Sequence, residues 1–270
     1  LNTLPRQVTP KKSLSQNFLT DQHIIAQIID VLNPKPVDSI LEVGPGLGAL
    51  TNELVSKKAT VLAIEIDKRL VPNLEKIKKN NANFSYLLGD FLHFDLTTIL
   101  PQKKVKFISN IPYHLTGLFI QKLCNNHKLF ESAIIMTQKE VALRLAATKG
   151  KSYGSLSVFT QFYADVELCF EVPRKAFFPV PKVDSAITKL TFKKPPFEKA
   201  EGFFNFVRKC FASKRKTLLN SLKQYFNSSS IREILTENNY LVTVRAEELS
   251  LQEFIDIYGL FLKRSLIQEK

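Results

Sequence analysis

The sequence predicts an α/β protein: a seven-stranded, mostly parallel sheet followed by a small all-helical C-terminal domain. Three observations carry this expectation. Short apolar runs alternate with helical patterns through the first two-thirds of the chain. The first of these runs ends in a glycine-rich turn, Gly44-Pro45-Gly46-Leu47-Gly48. Near Lys193-Lys194-Pro195-Pro196 the alternation stops, and only helical spacing follows. Buried parallel strands joined by crossover helices produce the first pattern.

The elements follow in order. Asp38–Val43 (DSILEV) reads as the first strand, with a helix expected from Leu50 after the glycine turn. Thr60–Ile66 (TVLAIEI), Asn83–Leu88, Val105–Asn110 and Ser132–Met136 read as the next four strands. Leu70–Lys79 and Lys139–Ala147 have helical spacing. Val166–Val172 and Ala186–Phe192 complete the sheet. They are joined by a proline-rich link without a clear helix, so an antiparallel finish is expected. Beyond it, Phe203–Phe211, Lys214–Tyr225, Ser230–Asn238 and Leu251–Lys263 read as helices, the last with Ser250 as N-cap. The expected domains are residues 1–194 and 195–270.

Composition narrows the function. The hydrophobic fraction, 44%, is enough for a real core, and most of the 21 Phe must lie in it. No apolar run has the length of a membrane span. The N-terminal LNTLPRQVTPKKS has the pattern of neither a secretory signal nor a clear transit peptide. Three distant cysteines form no metal or disulfide framework, which fits a cytoplasmic protein. The four histidines are scattered, so no metal site is expected. Lys and Arg number 38 against 25 Asp and Glu, a net charge of +13. An excess of this size suggests a polyanionic partner, usually nucleic acid.

The glycine loop lets backbone approach a ligand, with Gly44 and Gly46 at alternate positions. The dinucleotide fingerprint G-x-G-x-x-G is not met, because Ala49 fills the third glycine slot. Glu65 follows Gly44 by 21 residues at the end of the second strand, placed to accept from ribose hydroxyls. Asp90 ends the third strand and can accept from an adenine amine. Ile66 and Phe91, the next residues, are candidates for the same site. Taken singly, the two acids also read as solvated loop residues. Together with the loop they point to an adenosine moiety at the carboxyl edge of the sheet. ATP would require a lysine-bearing phosphate loop, and there is none. Glu42, just before the glycines, suits a cationic ligand. S-adenosylmethionine carries an ammonium and a sulfonium and no phosphate, so the residues read as a methyltransferase.

The fourth strand runs into Ser109-Asn110-Ile111-Pro112-Tyr113-His114. Read alone, the proline terminates a strand. Beside an adenosine site the same residues offer chemistry. The Asn110 side chain and the Ile111 carbonyl can accept an amine's hydrogens, Pro112 fixes the backbone that aims that carbonyl, and Tyr113 can stack on a base.

With these motifs assembled, the sequence resembles the ribosomal RNA small-subunit adenine dimethyltransferases, of the KsgA type. The resemblance covers nearly the whole chain and rests on SQNFL (15–19), EVGPGLGALT (42–51), AIEID (63–67), GD (89–90), NIPYH (110–114), VPRKAFFPVPKVDS (172–185) and SKRKTLLNSL (213–222). It implies a Rossmann-like class I methyltransferase fold and S-adenosyl-L-methionine as cofactor. It implies a cofactor site including Asn17, Leu19, Gly44, Glu65, Asp90 and Asn110. It also implies a target adenine held by Asn110, Tyr113 and Phe177. Without it, Asn17 and Leu19 read as a helix cap and its core contact. The family's glycine before the glutamine is Ser15 here.

The implied reaction is dimethylation of two adjacent adenines in small-subunit rRNA, with the 30S precursor as partner and the protein acting as a monomer, without a membrane or a metal. Val207–Lys216 holds five basic residues in ten and no acid: Arg208, Lys209, Lys214, Arg215 and Lys216. Such a run is often only a solvated face. Next to a base-modifying domain it is expected to meet RNA phosphates, and Lys11, Lys12, Arg144 and Lys149 extend it. Two rivals stay open. One is a 23S rRNA methyltransferase of the macrolide-resistance type; the proline-rich link and the SKRKTLLNSL segment favour the small-subunit reading. The other is a non-catalytic assembly or transcription factor; the presence of Asn110, Tyr113, Glu65 and Asp90 argues against it.

Overall fold

The computed structural model describes residues 9–11, 14, 16–213 and 215–267. Lys12, Ser15 and Lys214, all noted above, lie outside them. Seven strands form one sheet: β1 (Ser39–Val43), β2 (Thr60–Glu65), β3 (Phe84–Leu88), β4 (Val105–Asn110), β5 (Phe130–Gln138), β6 (Ala164–Val172) and β7 (Ser185–Phe192). Their order across the sheet is β3-β2-β1-β4-β5-β7-β6. The first five in that order run parallel, and β7 is antiparallel to both its neighbours. Central strands of a parallel sheet are covered on both faces and so read as continuous apolar runs. Accordingly, Ile40–Val43 and Val105–Ser109 are buried throughout.

The topology creates the site. β1 pairs with β2 on one side and with β4 on the other, so Val43 lies between Ile64 and Ser109. The order of the chain reverses between β1 and β4. A crevice opens at such a switch point, outside the carboxyl ends of the strands. The helix Gln22–Leu32 begins at Asp21, whose carboxylate accepts the backbone N–H groups of His23 and Ile24. Its apolar stripe, Ile24, Ile25, Ile28, Ile29 and Leu32, is buried in the core with Leu50, Leu54, Ile108 and Ile134. One pairing had no counterpart in the sequence expectation. Phe18–Leu19 forms a two-residue antiparallel ladder with Phe177–Phe178.

The chain divides into two compact units. One runs to Ala142 and resumes over Ala164–Lys193; the other comprises Leu143–Tyr163 and the chain from Lys194 onward. The second unit takes in 143–163 as well as the chain from Lys194, so neither unit is a single contiguous stretch. The cause is aromatic packing. Phe162, on the helix Ser155–Tyr163, lies 5.0 Å from Phe197 and 5.1 Å from Phe204 between ring centroids. Phe203, Phe206, Phe254, Tyr258 and Phe261 complete this second core.

In the second unit the helices Glu201–Cys210, Ser228–Glu237 and Leu251–Lys263 follow the sequence expectation. Ser250 caps the last, in a capping box with Glu253. The expected helix Lys214–Tyr225 is shorter: only Leu218–Leu222 is α-helical, starting at the Thr217 cap. Thr217 supplies its hydroxyl to the Asn220 N–H, so the helix starts there and Arg215 and Lys216 fall in the preceding turn. Among the described residues no helix is long and apolar enough to cross a membrane.

Candidate active site

One cavity lies at the carboxyl ends of β1, β2, β3 and β4. Its lining includes Asn17, Leu19, Gly44, Gly46, Glu65, Ile66, Asp90, Phe91, Asn110, Ile111, Pro112 and Tyr113. Each arrives from the end of a strand or from the N-terminal segment that crosses the opening. Gly44 bonds back to β2 through its N–H, 2.9 Å from the Ile64 carbonyl. Gly46 at φ +59 and Gly48 at φ +83 have left-handed backbone, where a side chain would also crowd a neighbour. A Cβ on Gly46 would stand 3.2 Å from the Phe18 ring. Gly48 has φ +83, and a Cβ there would come within 2.6 Å of the Ile77 side chain. The third glycine thus serves helix packing, one position earlier than in the dinucleotide motif.

The acids define the electrostatics. Glu65 is buried; its Oε2 accepts the Gly46 N–H at 3.2 Å and its Oε1 accepts the Asp67 N–H at 2.8 Å. Burial raises its pKa, opposed by those backbone bonds. A carboxylate has about four lone-pair sites, so acceptor capacity remains for a ribose diol. Glu42 lies below the loop and accepts from the Thr51 hydroxyl at 2.7 Å. Complete burial, with the nearby Glu65 charge adding to it, pushes the Glu42 carboxyl up to about 7. Asp90 caps the turn after β3: its Oδ1 accepts the Leu92 N–H at 2.9 Å, and its Oδ2 is 3.6 Å from His93 Nδ1.

Glu42, Glu65 and Asp90 all line this cavity, and no described Lys, Arg or His does. That is a deliberate contrast within a chain of net charge +13. A phosphate would meet repulsion here, whereas a cation would meet attraction. Ile66 is 51% exposed and offers an apolar wall beside Glu65. This set of acceptors therefore fits a cationic adenosine cofactor.

The N-terminal segment is tied across the opening. Gln16 Nε2 donates to Asp67 Oδ2 at 2.8 Å. Asp67 is held well below the usual carboxylate range, first by the Arg69 guanidinium. Asn110 Nδ2 donates to the Asn17 carbonyl at 3.0 Å, and Thr20 N donates to the Ala176 carbonyl at 2.9 Å. The bond to Asn17 uses the amide NH₂ of Asn110 and leaves its Oδ1 as an acceptor. Next to it, no donor among the described residues reaches the Ile111 carbonyl. Tyr113 lines the cavity, and its hydroxyl lies 2.7 Å from Ser185 Oγ. Gln16, Asp67, Phe18 and Ser185 were missed as site residues, although each lies inside a motif the sequence singles out.

Phe177 is placed differently from its expected position against a base. It is 2% exposed, packed in the core with Leu19, and is not among the cavity residues. The ladder explains this. Phe177 faces Leu19, and the alternation of a strand sends both side chains to the core face. The basic run is also split. Arg208, Arg215 and Lys216 are exposed, whereas Lys209 is half-buried, with its ammonium 4.8 Å from the Tyr225 ring centre. Lys149 is paired with Glu253 at 2.8 Å.

Comparison with known proteins gives the family of the chain. The family model described as "Ribosomal RNA adenine dimethylase" matches residues 8–263. The ribosomal RNA small subunit methyltransferase A of Mesoplasma florum is 40% identical over 264 residues, covering 94% of this chain and 98% of the relative. Among solved structures, a dimethyladenosine transferase from Plasmodium falciparum superposes with a TM-score of 0.77 at 27% identity, covering 92% of this chain and 98% of that one. The 23S rRNA methyltransferase ErmE superposes with a TM-score of 0.73 at 28% identity, covering 90% and 99%. With a family match over almost its full length, the chain belongs to the ribosomal RNA adenine dimethylases, methyltransferases built on the class I S-adenosylmethionine-dependent fold.

Proposed function

We propose that this protein uses S-adenosylmethionine to dimethylate the exocyclic N6 amines of two adjacent adenines in small-subunit rRNA, on a precursor of the 30S subunit. The observation that carries the reading is the cavity lined by Glu42, Glu65 and Asp90, and by no Lys, Arg or His among the described residues, beside the two acceptors at Asn110 and Ile111. The 40% identity to a small-subunit methyltransferase favours that substrate over the large-subunit one.

The chemistry explains the residues. Adenine's exocyclic nitrogen is a poor nucleophile because its lone pair is delocalised into the ring. The cofactor, when bound, supplies an electrophilic methyl on a sulfonium. Glu65 would hold its ribose, Asp90 would read its adenine amine, and Gly44 and Gly46 would let the chain pass close to it. Asn110 Oδ1 and the Ile111 carbonyl accept the two hydrogens of the target amine, which turns its lone pair toward the methyl. Tyr113 stacks on the extruded base, an interaction worth roughly 1–3 kcal/mol. The alkylated nitrogen is cationic and loses its proton to water, so no strong base is needed. Catalysis is positioning and desolvation. An amide at position 110 also avoids binding the cationic product tightly, which helps a second transfer at the same nitrogen. Phe177 supports the segment over the opening through its ladder with Leu19. Arg208, Lys209, Lys214, Arg215 and Lys216 would meet RNA phosphates, and the protein would act as a monomer.

Primer extension on RNA from treated 30S and 50S subunits tests the substrate. Stops at two adjacent adenines of the small subunit support the reading. A stop in 23S rRNA alone refutes it.

A further inference from the structure

The connection between β6 and β7 carries groups that the transfer chemistry does not use. Over residues 174–184 it exposes Arg174, Lys175 and Lys182. Among them stand Phe178, Val180 and Val183, which are 50%, 59% and 43% exposed. Among the described residues none of the three basic side chains has an ion-pair partner. The only carboxylate of the segment, Asp184, accepts the Arg174 backbone N–H at 2.8 Å.

Both ends of this connection are fixed to the site. At one end Phe178 faces Phe18 across the ladder, while Phe177 faces Leu19. Directly opposed residues of a ladder share a face. Leu19 and Phe177 occupy the core face. Phe18 is on the other face, where it lines the cavity against Gly46. Phe178 therefore stands on the cavity side of the ladder, with half its surface in water. At the other end Ser185 holds the Tyr113 hydroxyl. An exposed aromatic between unpaired cations is the arrangement that binds unpaired nucleic acid, by stacking and by phosphate contact.

We infer that the 174–184 connection docks the unpaired RNA strand flanking the target adenine. Phe178 is the platform for a neighbouring base, and Arg174, Lys175 and Lys182 are the phosphate contacts. The inference rests on the rRNA reading above and adds to it the surface that receives the strand.

The test uses the full chain, a short unpaired RNA with two adjacent adenines, and undermethylated 30S subunits. Phe178→Leu keeps the apolar bulk and the ladder but loses the aromatic face; Phe178→Tyr keeps both. Phe178→Leu is expected to weaken binding of the short RNA about 5-fold or more, as loss of one stacked base implies. Phe178→Tyr should restore it, and cofactor affinity should not move in either. Replacing Arg174, Lys175 and Lys182 together by Gln should lower the salt slope of RNA binding by about 2. RNA affinity unchanged in Phe178→Leu, a parallel loss of cofactor affinity, or no binding of the short RNA by the parent overturns the inference. Methyl transfer by the parent to 30S subunits is scored separately, because its absence refutes the rRNA reading.

Discussion

Replacing Glu42 by Gln isolates the effect of keeping a carboxyl beneath the glycine loop. Glu42 is buried, and its side chain accepts from the Thr51 hydroxyl. In the fold its pKa is raised from 4.5 to about 7. The folded chain thus binds this proton more tightly than the unfolded chain, and protonation favours folding. The stabilisation is present in full below about pH 4.5 and is lost as pH rises through about 7. The difference amounts to roughly 3 kcal/mol, at about 1.4 kcal/mol per tenfold in proton affinity. Gln has the shape of the protonated acid, still accepts from Thr51 and does not ionise. Urea unfolding midpoints of parent and variant, compared at about pH 4 and about pH 8, read the effect directly. The variant should match the parent at the lower pH and exceed it by up to about 3 kcal/mol at the higher. A variant equally stable as the parent at both values refutes the argument. The same substitution should weaken binding of the cationic cofactor above pH 7, because the attraction it removes exists only when Glu42 is charged. Stability would then have been given up for binding.

Further outcomes follow from the same geometry. Asn110→Ala should lower the single-turnover rate about 100-fold or more, as loss of a preorganised contact to the reacting group does, with a much smaller change in cofactor affinity. Gln16→Ala removes the bond to Asp67 that ties the N-terminal segment down, and a bond of this kind is worth about 1 kcal/mol. Cofactor release measured by stopped flow should quicken about fivefold. Gly48→Ala forces a side chain onto φ +83 and toward Ile77. Thermal unfolding should show a loss of about 1–2 kcal/mol.

Most of the fold was legible because its signals are local. Continuous apolar runs such as Val105–Ser109 mark strands covered on both faces, and Ser250 with Glu253 marks a helix start. Glu65 and Asn110 end strands and Asp90 follows one by two residues, so the pattern that marks the strands also puts all three at one edge of the sheet. Long-range pairing was not legible. Nothing near Phe18 in the sequence names Phe178 as its partner, and the burial of Phe177 follows from that pairing. Likewise Phe162 joins the second unit through contacts with Phe197 and Phe204, which local spacing does not encode. The start of the helix at Leu218 was missed because Thr217 can cap while the preceding basic residues have ordinary helix propensity.

The central claim is that the cavity delivers methyl groups to the N6 amines of two adjacent small-subunit adenines. Labelled-methyl transfer onto undermethylated 30S subunits, followed by digestion to nucleosides and mapping, tests it most directly. The account predicts N6,N6-dimethyladenosine at two neighbouring positions of the small-subunit rRNA, lost in Asn110→Ala. Cofactor binding with no label on 30S rRNA, or label only on 23S rRNA, would contradict it.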